Sequence, residues 1–270
     1  DGFDVANGAF ASVAELADRQ GLNFRGSHPV TLLHEDLAED CYRLVIEREC
    51  VTVYAASYGG QFYAGITLLT LLRDGSLPCG EIFDAPRFGW RGQHLDTARH
   101  FYEPETIMAL LDLMATLKLN RFHWHFADDE AFRIELEALP ELAEKLTFRG
   151  EGQFLPALFG GGPLQGGMYT KDTVRSIISH AAALNIEVLP EIEAPAHALA
   201  LAAIYPETRD PDDDGVYIQE LSKARTNASQ NPVVRISIQL FDGCILFQVI
   251  AAGNDYPENE IGDKRKAANR

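Results

Sequence analysis

"RFHWHFADDEAFRIE", residues 121–135, runs from an apolar-rich alternation into two adjacent aspartates and a glutamate. Alternation of this kind reads as a buried strand, because successive side chains of a strand point to opposite faces. His123, His125 and Asp129 then share one face, and Trp124, Phe126 and Asp128 the other. Beyond Ala127 the apolar run ends, and strand parity no longer guides the reading. Charge buried at a strand end is costly unless it is paired or used in chemistry. The segment therefore reads as a strand that carries polar groups to the rim of a sheet.

The neighbouring segments continue that rhythm. "WRGQHLDTA" from Trp90 is a short strand candidate. "EPETIMALLDLMATLKL" has Ile107, Leu110, Leu111, Met114 and Leu117 at helical spacing, with Pro104 in its first turn. "TKDTVRSIISHAAALN" is a second amphipathic helix with Thr170 as its N-cap. "IEVLPEIEAP" is a third strand and "AHALALAAIYP" a third helix. Strands expected near 92–97, 121–127 and 186–192, separated by helices, imply a parallel sheet, either doubly wound or a barrel. Polar residues gather where each strand ends, which is where such sheets carry chemistry.

Upstream the pattern differs. "CYRLVIERECVTVYAA" (41–56) reads as two half-buried strands, and "GGQFYAGITLLTLLRDG" as a helix closed by Asp74-Gly75. Residues 1–80 thus form a small N-terminal α/β unit, and the Pro-containing "LPCGEIFDAPRFGW" (77–90) reads as the linker out of it. Residues 81–215 carry the repeated β/α units. Residues 216–270 have no β/α cadence, and their charged end from Asn254 reads as disordered.

Composition sets the outer bounds. The 270 residues are 46% hydrophobic, enough for one large domain or for a small domain plus part of a large one. A formal net charge of −17 disfavours nucleic acid and anionic membranes as partners. No apolar run approaches the length of a membrane span. The chain opens at Asp1 without a leader-like segment, which leaves cytoplasmic and exported locations both open. Cys41, Cys50, Cys79 and Cys244 are too few and scattered for a disulfide scaffold or zinc knot. Asn227-Ala228-Ser229 fits a glycosylation triplet of a kind frequent by chance.

Two chemistries suit these residues. His123 and His125 with a nearby carboxylate could ligate zinc in a metal-dependent hydrolase; the plainer reading is a pair of hydrogen-bonded core histidines. Alternatively, Asp128 and His197 each follow a strand and could form a dyad supporting the acid of a glycosidase. Arg99 could anchor sugar hydroxyls through its fixed fork of donors, or could simply pair with a neighbouring carboxylate. The residues alone leave these readings open.

Three long segments together resemble the β-N-acetylhexosaminidases of glycoside hydrolase family twenty. They are "YGGQFYAGITLLTLLRDGSLPCGEIFDAPRF", "DAPRFGWRGQHLDTARHFYEPETIMALLDLMATLKLNRFHWHFADDEAFRIE" and "GGMYTKDTVRSIISHAAALNIEVLPEIEAPAHALALAAIYPE". The resemblance runs from about Tyr42 to about Gly215. It implies a small N-terminal α/β domain followed by a (β/α)8 TIM-type barrel, incomplete in this chain. It also implies release of terminal GlcNAc or GalNAc from N-acetylhexosamine-containing glycans without a cofactor. The substrate's own acetamido oxygen is the nucleophile, so the protein supplies none. Arg99 in "DTARHF" matches the arginine that binds the outer hydroxyls of the sugar. Asp128 in "ADDEAF" matches the aspartate that pairs with a histidine, and His197 in "EIEAPAH" matches that histidine. His123 and His125 match packing and hydrogen-bonding positions.

This sequence departs from the family pattern at one decisive place. The catalytic pair of the family is an adjacent Asp-Glu after Gly-Gly, and no such segment occurs here; Gly253-Asn254-Asp255 is read as a chance echo. Trp90 and Trp124 are the only tryptophans, so those that line the family's acetamido pocket are missing. The break after Gly215 is read as the mark of a truncated, spliced or frame-shifted product.

Overall fold

Alternating burial builds the first of two sheets. In the computed structural model, which describes residues 2–5, 8–73, 77–136, 139–155, 164–193 and 197–206, helix α1 (Gly8–Arg19) and strand β1 (Val30–His34) precede β2 (Tyr42–Ile46) and β3 (Val51–Ala55). Tyr42, Leu44 and Ile46 on β2, with Val51, Val53 and Ala55 on β3, are buried on one face. Their sequence neighbours on the other face are half-buried. Helix α2 (Tyr58–Arg73) covers the apolar face with Phe62, Ile66 and Leu69, and α1 packs beside it. The two helices approach closely because Gly65 has no side chain: a Cβ there would stand 2.8 Å from Val13 Cγ2.

Strand β4 (Gly80–Asp84) completes the sheet in the order β1-β3-β2-β4, with only β1 and β3 parallel. The stretch read as a linker therefore contains an edge strand, paired antiparallel to β2 from Tyr42↔Asp84 to Ile46↔Gly80. Its composition hides it, since an exposed edge strand flanked by proline lacks an apolar alternation.

The second sheet starts with β5 (Gly92–Asp96). Helix α3 (Pro104–Thr116) returns the chain to β6 (Arg121–Asp128), and the two-residue β7 (Ala131–Phe132) folds back antiparallel on the end of β6. After α4 (Pro140–Leu146) and the small hairpin β8 (Phe148–Gly150) and β9 (Leu164–Gly166), helix α5 (Lys171–Ala183) leads to β10 (Glu187–Ile192). The short α6 (Leu199–Ile204) follows. Strand order is β10-β6-β5, all parallel, each crossover carrying a helix. The expected strands near 92–97, 121–127 and 186–192 are these three. Helix α5 begins at the expected cap, with Thr170 Oγ1 accepting the Thr173 amide at 3.1 Å.

Phe122, Trp124 and Phe126 of β6 lie fully buried, in the core shared with Ile107, Leu111 and Met114 of α3 and Ile177 of α5. Burying each such side chain contributes roughly 1.5–3 kcal/mol. The opposite face of β5, β6 and β10 presents His94, Asp96, His123, His125 and Glu191.

Polar anchors fix the two sheets relative to each other. Lys118 Nζ, just past α3, donates to Asp84 Oδ2 (2.7 Å), Tyr42 Oη (2.9 Å) and Thr67 Oγ1 (2.8 Å). Arg91 Nη2 reaches Asp40 Oδ2 at 3.0 Å, and Asp40 Oδ1 accepts from Asn185 Nδ2 at 3.1 Å. Asp112 of α3 accepts from Arg19 of α1 and from His180 of α5. Among the described residues no helix is long and apolar enough to cross a membrane. The expected tail (216–270), the Asn227 triplet, Cys244 and the Asp255 echo lie outside the described residues.

Candidate active site

A bulge in β6 decides where Asp128 points. β6 pairs with β10 in register up to His125↔Glu191, and the next pair is Ala127↔Ile192, so Phe126 is the extra residue. One extra residue reverses the alternation beyond it. Strict parity would put Asp128 on the Trp124 face; the bulge returns it to the face of His125, whose Nε2 stands 3.1 Å from Asp128 Oδ2.

Arg99 meets the same carboxylate. Its Nη2 lies 2.7 Å from Asp128 Oδ2, and its Nη1 2.7 Å from Asp96 Oδ2. Asp96 Oδ1 also accepts the Arg99 amide at 3.0 Å, closing the turn after β5 and aiming the side chain along the strand ends. The end of β5 is itself pinned to β6, since Thr97 donates its amide and hydroxyl to the His125 carbonyl and receives the Trp124 indole N–H at 3.0 Å. Asp128 is fully buried, whereas the Arg99 side chain is 40% exposed. The guanidinium thus has a buried, neutralised side and an open side.

His197 enters from the loop after β10 in a left-handed conformation, φ 51°. Its Nδ1 lies 3.1 Å from Asp129 Oδ2 and 3.7 Å from Asp128 Oδ1. Of the expected Asp128–His197 dyad the ion pair is present at 3.7 Å, but the hydrogen bond of His197 goes to Asp129. The physical reason is that Asp128 Oδ2 is already engaged by Arg99 and His125, and Oδ1 accepts the Asp129 amide at 2.7 Å. Asp129 Oδ1 also accepts the Leu199 amide (3.2 Å), which fixes the start of α6 beneath the histidine. Arg99, Asp128 and His197 do converge at one rim, with Asp129 as the intermediary.

Below the rim, His125 sits between two carboxylates, with Nε2 towards Asp128 and Nδ1 2.9 Å from Glu191 Oε2. Both ring nitrogens face acceptors, so the ring is an imidazolium. Burial disfavours that charge, but the hydrogen bonds to Asp128 and Glu191 outweigh it and raise the pKa to about 9. The hydrogen bond from His125 holds the Glu191 carboxyl below its usual range, whereas burial and the neighbouring Glu191 push Glu193 up. His123 Nε2 also reaches Glu191 Oε2, at 2.9 Å, and burial lowers its pKa. Asp96, Asp129 and Glu191 escaped the sequence reading as site residues, and His125 was read there only as a zinc ligand or a core histidine. The Asp-x-x-Arg spacing of Asp96 and Arg99 in "DTAR" was the one local signal for any of them.

The parallel sheet, its helical crossovers and the charged cluster at the carboxyl ends of its strands define the first part of a β/α-barrel hydrolase site. Comparison with known proteins names the family. Residues 88–250 match the family model for the glycosyl hydrolase family 20 catalytic domain, and residues 5–85 match domain 2 of the same family. The chain belongs to glycosyl hydrolase family 20. It is similar to a beta-hexosaminidase of Vibrio furnissii, 36% identical over 220 residues that make up 80% of this chain and 36% of the relative. A beta-hexosaminidase of Porphyromonas gingivalis is 40% identical over 182 residues, 63% of this chain and 22% of the relative. The crystal structure of a Vibrio harveyi family 20 exo-β-N-acetylglucosaminidase with N-acetylglucosamine superposes with a TM-score of 0.73 at 30% identity. That superposition covers 88% of this chain and 40% of the other. The chain thus spans well under half the length of these relatives. The family is one of glycoside hydrolases.

Proposed function

We propose that this chain carries the outer sugar-binding wall of a β-N-acetylhexosaminidase site, which removes terminal GlcNAc or GalNAc from oligosaccharides. The observation that supports this most directly is Arg99, held on one side by Asp96 and Asp128 and open on the other. A planar fork of donors fixed in this way suits vicinal hydroxyls, because no side-chain freedom is left to lose on binding. Asp129 and His197 form a second arm beside it, which orients a proton donor for the leaving oxygen.

In the reaction that this reading implies, the acetamido oxygen of the substrate bonds to the anomeric carbon as the glycosidic C–O bond breaks. The departing oxygen takes a proton from a carboxylic acid, and water then opens the intermediate with retention. Arg99, fixed by Asp96 and Asp128, holds the sugar, and Asp129 and His197 support the acid. The acid and its neighbouring aspartate belong to the Gly-Gly-Asp-Glu segment that this sequence lacks. General acid catalysis contributes about 10²–10⁴-fold and electrostatic stabilisation a comparable or larger factor.

The purified chain is therefore expected to bind GlcNAc in calorimetry yet to cleave a chromogenic GlcNAc glycoside barely above background. Loss of binding in Arg99→Ala supports the reading; GlcNAc binding that survives this change sinks it. Robust turnover abolished by Asp255→Asn would transfer the acid's support to the Gly253-Asn254-Asp255 segment.

A further inference from the structure

Beneath the sugar-binding rim, His94, His123 and Glu191 bring one ligand atom each into a single cluster. They come from three adjacent parallel strands. His94 pairs in register with His123 across β5 and β6, and Glu191 stands two residues beyond Leu189, the β10 partner of His123. The two imidazole rings meet edge to face, 4.7 Å apart. Their Nε2 atoms lie 3.3 Å (His94) and 2.9 Å (His123) from the same oxygen, Glu191 Oε2. All three ligand atoms lie within 4.8 Å of one another.

We propose that His94, His123 and Glu191 form a binding site for a divalent transition-metal ion of the zinc type, held by two imidazoles and one carboxylate with a fourth position open.

The two imidazole–carboxylate distances fit such an ion with little movement. Zinc–nitrogen and zinc–oxygen bonds of roughly 2.0–2.2 Å at tetrahedral angles put ligand atoms about 3.4 Å apart. The His94 Nε2–Glu191 Oε2 separation of 3.3 Å is already at that value, and His123, at 2.9 Å, needs to retreat by about half an ångström. Both histidine side chains are more than two-fifths exposed, so they have room to move and the ion has a path in.

The carboxylate is held from behind. Buried His125 donates Nδ1 to Glu191 Oε2 and is itself fixed through Nε2 to Asp128. An outer hydrogen bond of this kind orients a ligating carboxylate. The ligand types also select the ion, because imidazole nitrogen with a single carboxylate favours zinc, copper, iron or nickel over magnesium and calcium. A net charge of −17 draws any cation towards the surface, so selectivity for these ions and not affinity alone is what distinguishes the site.

The test is zinc titration of the metal-stripped full chain, against a chromophoric chelator and by calorimetry. One equivalent of Zn²⁺ is expected, unaffected by millimolar Mg²⁺. Affinity should fall at least tenfold in His94→Asn and in His123→Asn, and stay unchanged in His180→Asn, far from the cluster on α5. Co²⁺ should give the visible absorption of a four-coordinate nitrogen and oxygen site, and lose it in the same two variants. Absence of stoichiometric zinc overturns the proposal. So does zinc binding that survives the His94/His123 double variant, or that is lost in His197→Asn instead, which would place the ion at the Asp128–Asp129–His197 group. GlcNAc binding is read separately, so either outcome leaves the glycosidase reading standing or falling on its own.

Discussion

Arg99 Nη2 lies 2.7 Å from Asp128 Oδ2, joining a half-exposed guanidinium to a carboxylate with no solvent contact. Its second arm holds Asp96, so neither the charge of Asp128 nor the direction of Arg99 is free. Replacing Arg99 by alanine leaves Asp128 with His125 and one backbone amide. Loss of a charged partner from a buried acceptor costs about 1–3 kcal/mol. Urea unfolding of Arg99→Ala should show that loss at pH 7. Arg99→Lys should recover part of the stability and little of the GlcNAc affinity, because an ammonium cannot span both carboxylates. Equal sugar affinity in the lysine variant would show that charge alone matters.

Asp112 offers a test at acid pH away from the site. It joins three helices by accepting from Arg19 Nε (2.8 Å), Arg19 Nη2 (2.9 Å) and His180 Nε2 (2.9 Å). Burial works against its charge, but the hydrogen bonds from His180 and Arg19 prevail and lower its pKa. A carboxyl with a depressed folded-state pKa stabilises the fold above its unfolded value, near 3.9, and loses that contribution as pH falls through the folded value. The stability gap between the wild-type chain and Asp112→Asn should be fully present at pH 6, begin to narrow near the unfolded value of about 3.9, and be lost as pH falls through the lower folded value. Denaturant melts across that range decide it. A gap that is the same at pH 6 and pH 2.5 would mean that the aspartate acts by shape and not by charge.

Thr170 caps α5 through the Thr173 amide at 3.1 Å. Thr170→Ala should destabilise the chain by about 1 kcal/mol, and Thr170→Ser by much less. Thermal or urea unfolding gives the comparison directly. An unchanged midpoint in the alanine variant would show that packing of α5, and not its cap, sets the start of the helix.

The cap was legible because its cause is local, a threonine ahead of an amphipathic run. The same holds for β2 and β3, where alternation alone sets the buried face, and for α3, whose proline and apolar spacing mark its start. β4 was not legible, since an edge strand between prolines takes its stability from its partner β2 and not from its own residues. Nor was the bulge at Phe126, which arises from pairing with β10, far along the chain. That one displacement moves Asp128 to the other face. It explains why residue types pointed to Arg99, Asp128 and His197 but could not say which aspartate the histidine takes. His125 as an imidazolium was hidden for a similar reason: its two acceptors, Asp128 and Glu191, meet only when the sheet forms.

Asp128 and Asp129 are adjacent and equally buried, yet their partners predict separable defects. Both oxygens of Asp128 accept hydrogen bonds, from Arg99 and His125 on one side and the Asp129 amide on the other. An asparagine there must turn its NH₂ against a donor, so Asp128→Asn should lose GlcNAc binding and stability together. Asp129 differs in one respect. Its Oδ1 takes the Leu199 amide, but the partner of Oδ2 is a histidine nitrogen, which can change roles. Asp129→Asn can keep Oδ1 on Leu199 and donate its NH₂ to His197 Nδ1, provided the ring proton moves to Nε2. The fold should then survive with sugar binding intact, while ¹⁵N spectra report the opposite His197 tautomer. Asp129→Ala removes both contacts and should speed hydrogen exchange across residues 199–204 without weakening Arg99. If Asp129→Asn instead abolishes GlcNAc binding as completely as Asp128→Asn, the two carboxylates act as one unit and the division between a sugar-holding arm and a proton-donor arm is wrong.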